Sequence, residues 1–184
     1  MENFLKERKL ELVERIAKGF SSETFLVKNN KGEKFALKIE RLDSPRRQMA
    51  EKEVANLKKA NSVNVGPKLA DFDFEKRIVL VEFIDGRTFN RWLFRQPGKK
   101  EMVKCLKELF AQASRLDDLG LSHGQLAGKG TNIIVNEKGL PVIIDFEKAS
   151  TQRKPHNVYQ LTSFIVLNPH SALTKLIKEI LRKE

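Results

Sequence analysis

The apolar positions of the chain change period about half-way along it. From Glu11 to Lys18, Ser22 to Lys28 and Lys34 to Glu40 they fall at strand-like intervals, with Asn29-Asn30-Lys31-Gly32 as a hairpin turn before the third run. Three antiparallel strands are expected there. A helix is then expected to open with Ser44 as N-cap and Pro45 at its first position, since Met49, Ala50, Val54 and Leu57 recur at helical spacing. The stretch Asn61 to Pro67 breaks it, and two further strands, Leu69 to Phe74 and Arg77 to Phe83, follow. After Asp85-Gly86 the pattern turns helical. Met102, Val103, Leu106, Leu109, Phe110, Ala113 and Leu116 form one apolar stripe closed by Gly120. A short strand pair, Ile133-Ile134-Val135 and Val142-Ile143-Ile144, turns at Gly139. Two helices close the chain, Val158 to Val166 and Ser171 to Arg182, the second capped by Asn168 with Pro169 behind it. The expectation is an α+β chain in two lobes, a five-stranded one over residues 1–84 and a helical one over 85–184.

Composition narrows the class. With 184 residues, 40% of them hydrophobic, the chain can bury a real core but not two large domains. A net charge of +11 suits an anionic partner, whether nucleotide, phosphorylated ligand, nucleic acid or acidic protein, unless the lysines are simply a solvated surface. The single cysteine, Cys105, excludes an internal disulfide and reads as buried filler in the long helix. No stretch reaches the ~18 apolar residues of a membrane span, and the N-terminus has no signal-peptide pattern. These features predict a soluble, cytoplasmic protein without membrane contact.

Two segments carry chemistry. In Phe35-Ala36-Leu37-Lys38-Ile39-Glu40, strand alternation puts Phe35, Leu37 and Ile39 on one face and Ala36 with Lys38 on the other. A small alanine leaves room for a flat ring, and the lysine beside it can reach that ring's phosphates. Glu53, on the following helix, is the expected ion-pair partner of Lys38, with Glu51 its competitor. The second segment runs His123-Gly124-Gln125, Asn132, Asp145-Phe146-Glu147. Asn132 and Asp145, at the ends of two adjacent short strands, supply oxygens of the kind that hold Mg²⁺.

Taken in order, Lys38, Glu53, Val81-Glu82-Phe83-Ile84-Asp85-Gly86, His123-Gly124-Gln125, Asn132 and Asp145 resemble the protein-kinase superfamily over about three quarters of the chain. The likeness is greatest to its small atypical members: RIO kinases, the small kinase of the KEOPS tRNA-modification complex, and aminoglycoside-phosphotransferase-like enzymes. It implies a bilobal kinase-like fold with a reduced C-lobe, and ATP and Mg²⁺ as cofactors. By the same resemblance Val81 is the gatekeeper, Glu82 and Ile84 offer backbone hydrogen bonds to adenine, Ile134 floors the ring, and Gly19, Ser21 and Ser22 stand in the phosphate loop. Lys38, Gln125 and Lys129 are the catalytic candidates, and Asn132 and Asp145 the metal ligands.

The departures from the family pattern are specific. Gln125 replaces the catalytic aspartate. Asn132 follows it by seven residues, where the kinase loop has about five. Lys129, inside that insertion, either reaches the γ-phosphate or points to solvent. Ala17 to Thr24 keeps one glycine of the phosphate loop, Glu147 replaces the glycine after Phe146, and no activation loop follows. A Walker A reading of Gly128-Lys129-Gly130 fails, because His123 stands where its first glycine belongs and Gly130 where its Ser/Thr belongs. Two functions are therefore expected to compete. One is a slow ATP- and Mg²⁺-dependent phosphotransferase of the serine/threonine kinase type, acting on a protein or small hydroxyl compound. The other is a nucleotide-binding pseudokinase that holds an RNA or protein partner. Arg87, Arg91, Arg95, Lys99 and Lys100, with Arg46, Arg47 and Lys52, are the basic residues such a partner would meet.

Overall fold

The computed structural model describes residues 1–44 and 48–182, so Pro45, Arg46 and Arg47 lie outside the described residues. Five strands form the first sheet: β1 (Leu10–Lys18), β2 (Ser22–Asn29), β3 (Lys34–Glu40), β4 (Leu69–Asp73) and β5 (Ile78–Glu82), antiparallel in the order β1-β2-β3-β5-β4. The β2–β3 turn works as expected. Asn29 Oδ1 accepts from the Lys31 and Glu33 amides at 2.9 and 3.0 Å, and Gly32 takes φ +79°.

The alternation read from β3 is realised in three dimensions. Phe35, Leu37 and Ile39 join Val27, Ile78 and Leu80 on one face, while Ala36, Val79 and Val81 join the main core on the other. The first face is covered by α1 (Glu2–Glu7), through the buried Phe4 and Leu5. That helix was not expected, because six residues carry too little periodicity to show; it exists through the apolar area it covers.

The helix α2 runs Met49–Ser62 and so begins four residues after the expected Pro45. Its N-terminus is capped from β3 instead: Glu40 Oε2 accepts from the Met49 and Ala50 amides at 3.0 and 3.3 Å, while Ser44 is buried outside the helix. A carboxylate there satisfies two otherwise unpaired donors and complements the helix dipole. In its last turn, Asn61 donates to the Val65 and Pro67 carbonyls and accepts from the Leu69 amide.

Phe83, Ile84 and Asp85 connect the two halves without regular structure. The second half holds β6 (Gly86–Thr88), α3 (Phe89–Leu93), α4 (Lys99–Asp118), β7 (Ile133–Asn136), β8 (Pro141–Ile143), α5 (Asn157–Thr162) and α6 (Ala172–Arg182), with a single 3₁₀ turn at Phe146–Lys148 and a π turn at Ser163–Leu167. The all-helical expectation after Gly86 is corrected by β6, which pairs with β7 to make a three-stranded sheet, β6-β7-β8. Gly86 permits that pairing, since a Cβ would overlap the Val135 carbonyl. Gly120, at φ +76°, ends α4 as expected, with the Leu121 amide donating to the Leu116 carbonyl at 2.9 Å. The expected Asn168 cap of α6 is replaced by Ser171, whose hydroxyl accepts from the Thr174 amide. The expected helix Val158 to Val166 relaxes into the π turn after Thr162. One core, from Val54 and Leu57 of α2 through Val81 to Leu109, Leu116 and Ile143, joins both halves. The architecture is the α+β, small kinase-like fold. Among the described residues no helix is long and apolar enough to cross a membrane.

Candidate active site

A cleft of about 590 Å³ opens between the two sheets. Ala36, Val81 and Glu82 line it from the first sheet, Ile134 from the second with Ile144 just past its last strand, and Ile84 from the connection. An apolar slot of this width suits a flat ring. Among the described residues neither backbone group of Ile84 has a protein partner, so both are open to a ring edge, whereas the Glu82 amide already donates to the Lys68 carbonyl at 2.8 Å. The β1–β2 turn brings Gly19, Ser21 and Ser22 over the slot. It is held tightly: the Gly19 amide donates to the Ser22 carbonyl at 2.8 Å and the Arg41 amide to the Ser21 carbonyl at 2.9 Å.

The polar end is organised around Lys38. Its ammonium lies 2.6 Å from the Glu53 carboxylate and 3.1 Å from Asp145 Oδ1, with the Lys38 and Glu53 side chains only 15% and 7% exposed. Burial alone would lower the Lys38 pKa, but the two carboxylates outweigh it and hold the ammonium above its ordinary range. Lys38 is therefore charged at any physiological pH. Glu53, not Glu51, is the partner. The helix that carries Glu53 is fixed on both sides, by Glu40 at its N-terminus and by Asn56 Nδ2, which donates to the Phe146 and Ala149 carbonyls at 3.1 and 2.8 Å. Gly66 at φ +83° completes this packing, because a Cβ would press on the Phe146 ring and Leu57.

Asn132 and Asp145 meet through the β7–β8 ladder, which ends with the Ile144 amide donating to the Asn132 carbonyl at 2.9 Å. Asn132 Nδ2 turns back to the Gln125 carbonyl at 3.4 Å, and among the described residues its Oδ1 has no protein partner. Asp145 sits at φ +70°, a strained conformation for a non-glycine residue and one that clusters at functional sites. Among the described residues no three His, Cys, Asp or Glu side chains gather round a metal position. A cation here would take oxygens from Asn132, Asp145 and phosphate, a hard-donor set that fits Mg²⁺. His123 braces this corner. It is fully buried, with Nε2 3.0 Å from the Ile144 carbonyl and the ring edge-on to Phe146 at 5.0 Å, and burial pushes its pKa down to about 4. The imidazole is neutral and structural.

Gln125 and Lys129 do not join the others: neither lines the cleft. Among the described residues the buried Gln125 Oε1 has no hydrogen-bond partner, and Lys129 is exposed. The loop is held from the helical side. The Leu126 amide donates to Gln160 Oε1 at 3.1 Å, Gly130 packs between Phe89 and Phe164, and the Arg153 guanidinium fills the space a Cβ on Gly124 would need. Conversely, Thr88, Thr131, Glu147 and Lys148 line the cleft although sequence reasoning passed over them. Thr131 adjoins Asn132 and was findable by position. Thr88 was not, because it enters through its pairing with Ile134 in the unexpected strand β6.

The RIO domain family matches residues 23–165, from β2 to the π turn, and so takes in every polar group of the cleft's charged end. The chain belongs to the RIO domain family. This is an atypical protein-kinase-like family, and the match spans more than three quarters of the chain. No curated protein matches it.

Proposed function

We propose that this RIO domain is an ATP- and Mg²⁺-dependent phosphotransferase of low turnover, acting on the hydroxyl of a protein serine or threonine or of a small compound. The observation that carries the reading is the buried Lys38 ammonium held between Glu53 and Asp145. In kinases that pair aims the lysine at the phosphates. Ala36, Val81 and Ile134 would sandwich the base and Ile84 would meet its edge. Asn132 Oδ1 and Asp145 would hold Mg²⁺, which supplies charge neutralisation when bound. Lys38 stabilises negative charge on the phosphates, and the transition state of phosphoryl transfer depends mostly on such positioning. With Gln125 in place of an aspartate, the ~10²–10⁴-fold that a base at that position contributes is forgone. The buried, unpaired Cys105, whose thiol burial pushes up to about 12, suits the cytoplasm.

A second reading, a pseudokinase that binds nucleotide without transfer, is favoured by the position of Gln125 and Lys129 outside the cleft. One pair of measurements separates the two. A non-hydrolysable ATP analogue with Mg²⁺ should raise the melting temperature, and Asp145→Ala should remove the metal-dependent part of that rise. Radiolabelled ATP should then show slow γ-phosphate transfer to water or hydroxyl acceptors. Binding without any transfer would leave the pseudokinase, and no shift with any nucleotide would overturn both.

A further inference from the structure

The positive charge of the chain is unevenly placed. Between Gly86 and Lys107 there are seven basic residues and one carboxylate, Glu101, which is more than half of the net +11. All seven side chains are exposed, and among the described residues none forms an ion pair. Glu101 is engaged by the indole, accepting from Trp92 Nε1 at 3.3 Å. Several cations of the first half are paired instead: Arg15 with Glu23, Lys28 with Glu11, and Lys76 with Glu7 and Asp73. Clustered like charges repel, so this surface costs stability and keeps a positive field available to a polyanion.

Arginines occupy the part nearest the cleft. Arg87 directly precedes Thr88, which lines the cleft, and Arg91 and Arg95 follow it at four-residue steps. Guanidinium groups bind phosphate in a bidentate way that lysine cannot. Between Arg91 and Arg95 stands Phe94, 63% exposed, a bare aromatic face among cations. An acidic protein gives such a ring nothing particular to stack on, whereas unpaired bases stack on it well. Asn90 turns its Oδ1 to the Thr88 hydroxyl and the Arg91 amide at 2.6 and 2.8 Å. Among the described residues its amide donor has no protein partner, and it is a group able to donate to a ribose 2′-hydroxyl.

We propose that the surface of Arg87, Asn90, Arg91, Phe94 and Arg95, continued by the α4 lysines, binds single-stranded RNA past the mouth of the cleft. The proposal stands whether or not the cleft turns nucleotide over.

The test is fluorescence anisotropy of the full chain with a labelled single-stranded RNA longer than about 16 nucleotides. Affinity should fall as salt rises from about 50 to about 200 mM, with a slope of roughly −0.7 per phosphate contacted. The variant Arg87→Ala/Arg91→Ala/Arg95→Ala should weaken binding more than about tenfold and flatten the slope by about 2. Phe94→Ala should weaken it by about tenfold with the slope unchanged. The control Arg15→Ala/Lys28→Ala/Lys76→Ala, which removes the same charge from paired positions, should change neither. Equal losses in the two triple variants would overturn the site, and absence of binding at low salt would overturn the activity. Displacement of the RNA by an equally charged acidic peptide at the same concentration would transfer the surface to a protein partner. Single-stranded DNA of the same sequence binding as tightly would overturn the assignment to RNA.

Discussion

The charged end of the cleft and the loop from His123 to Thr131 are neighbours in the fold, joined by hydrogen bonds from Asn132 to the Gln125 carbonyl and between His123 and the Ile144 carbonyl, yet they are built on opposite plans. At the charged end Lys38, Glu53 and Asp145 come from three separate elements and converge within hydrogen-bonding distance. The loop is ordered just as firmly, but its supports are Gln160, Phe89, Phe164 and Arg153, and they hold Gln125 and Lys129 out of the cleft. A glutamine at position 125 and the absence of that position from the cleft lining thus occur together. The charged groups of a cleft can converge while the neighbouring loop turns its side chains elsewhere.

The comparison is broken most directly at Lys38. Lys38→Met leaves Glu53 buried without its counter-charge, a change that costs about 3–5 kcal/mol. It should lower the melting temperature by roughly 10 °C and abolish the nucleotide-dependent shift. Lys129→Met should cost less than about 0.5 kcal/mol and leave the shift intact. Similar effects at the two lysines, by calorimetry, would erase the distinction. Adding Glu53→Leu to Lys38→Met should recover much of the stability without restoring nucleotide binding.

His123 gives the next largest effect. Its folded pKa of about 4 lies below the ordinary 6.5, so the unfolded chain binds a proton that the folded chain refuses between those values. Stability should therefore be level above pH about 6.5 and fall by roughly 3 kcal/mol as the pH drops to about 4. In His123→Asn, which keeps a donor for the Ile144 carbonyl and does not titrate, urea midpoints at pH 7 and pH 5 should draw together. A pH dependence unchanged in that variant would place the acid sensitivity elsewhere.

Glu40 tests whether α2 is held from the strand. Glu40→Ala should cost about 1–2 kcal/mol as a lost cap and speed hydrogen exchange at the Met49 and Ala50 amides. Unaltered protection at those two amides would mean that Glu40 is not what anchors the helix end.

Legibility followed the range of the interaction. The five strands, the faces of β3 and the Lys38–Glu53 pair were readable, because alternation and helical spacing are local and the pair needs only one strand and the next helix. The cap of α2 was misplaced at Ser44 because its true acceptor, Glu40, lies nine residues before the amide it binds, on another element. β6 and α3 were missed because three and five residues carry no period; Gly86 and the buried Phe89 and Leu93 have meaning only once β7 and the core are in place. Gln125 and Lys129 were placed by the order of family motifs, and motif order does not encode which way a lengthened loop turns.

The smallest effect expected is also the sharpest test of the two plans. Gln125→Asp restores the family's residue but not its position, so ATP turnover should stay within about threefold of the parent, against the ~10²–10⁴-fold that a placed base would add. The Asn132 contact is to the backbone of residue 125 and survives the change, so nucleotide and Mg²⁺ binding should also persist. A hundredfold rise would show that position 125 reaches an acceptor after all and would end the contrast between wall and loop. If the rate is unchanged, deleting Gly128 and Lys129 in the aspartate variant restores the family's five-residue spacing to Asn132. A retained nucleotide-dependent thermal shift would show that this shortened chain still folds, and a gain in turnover confined to it would assign the low rate to the insertion rather than to the glutamine.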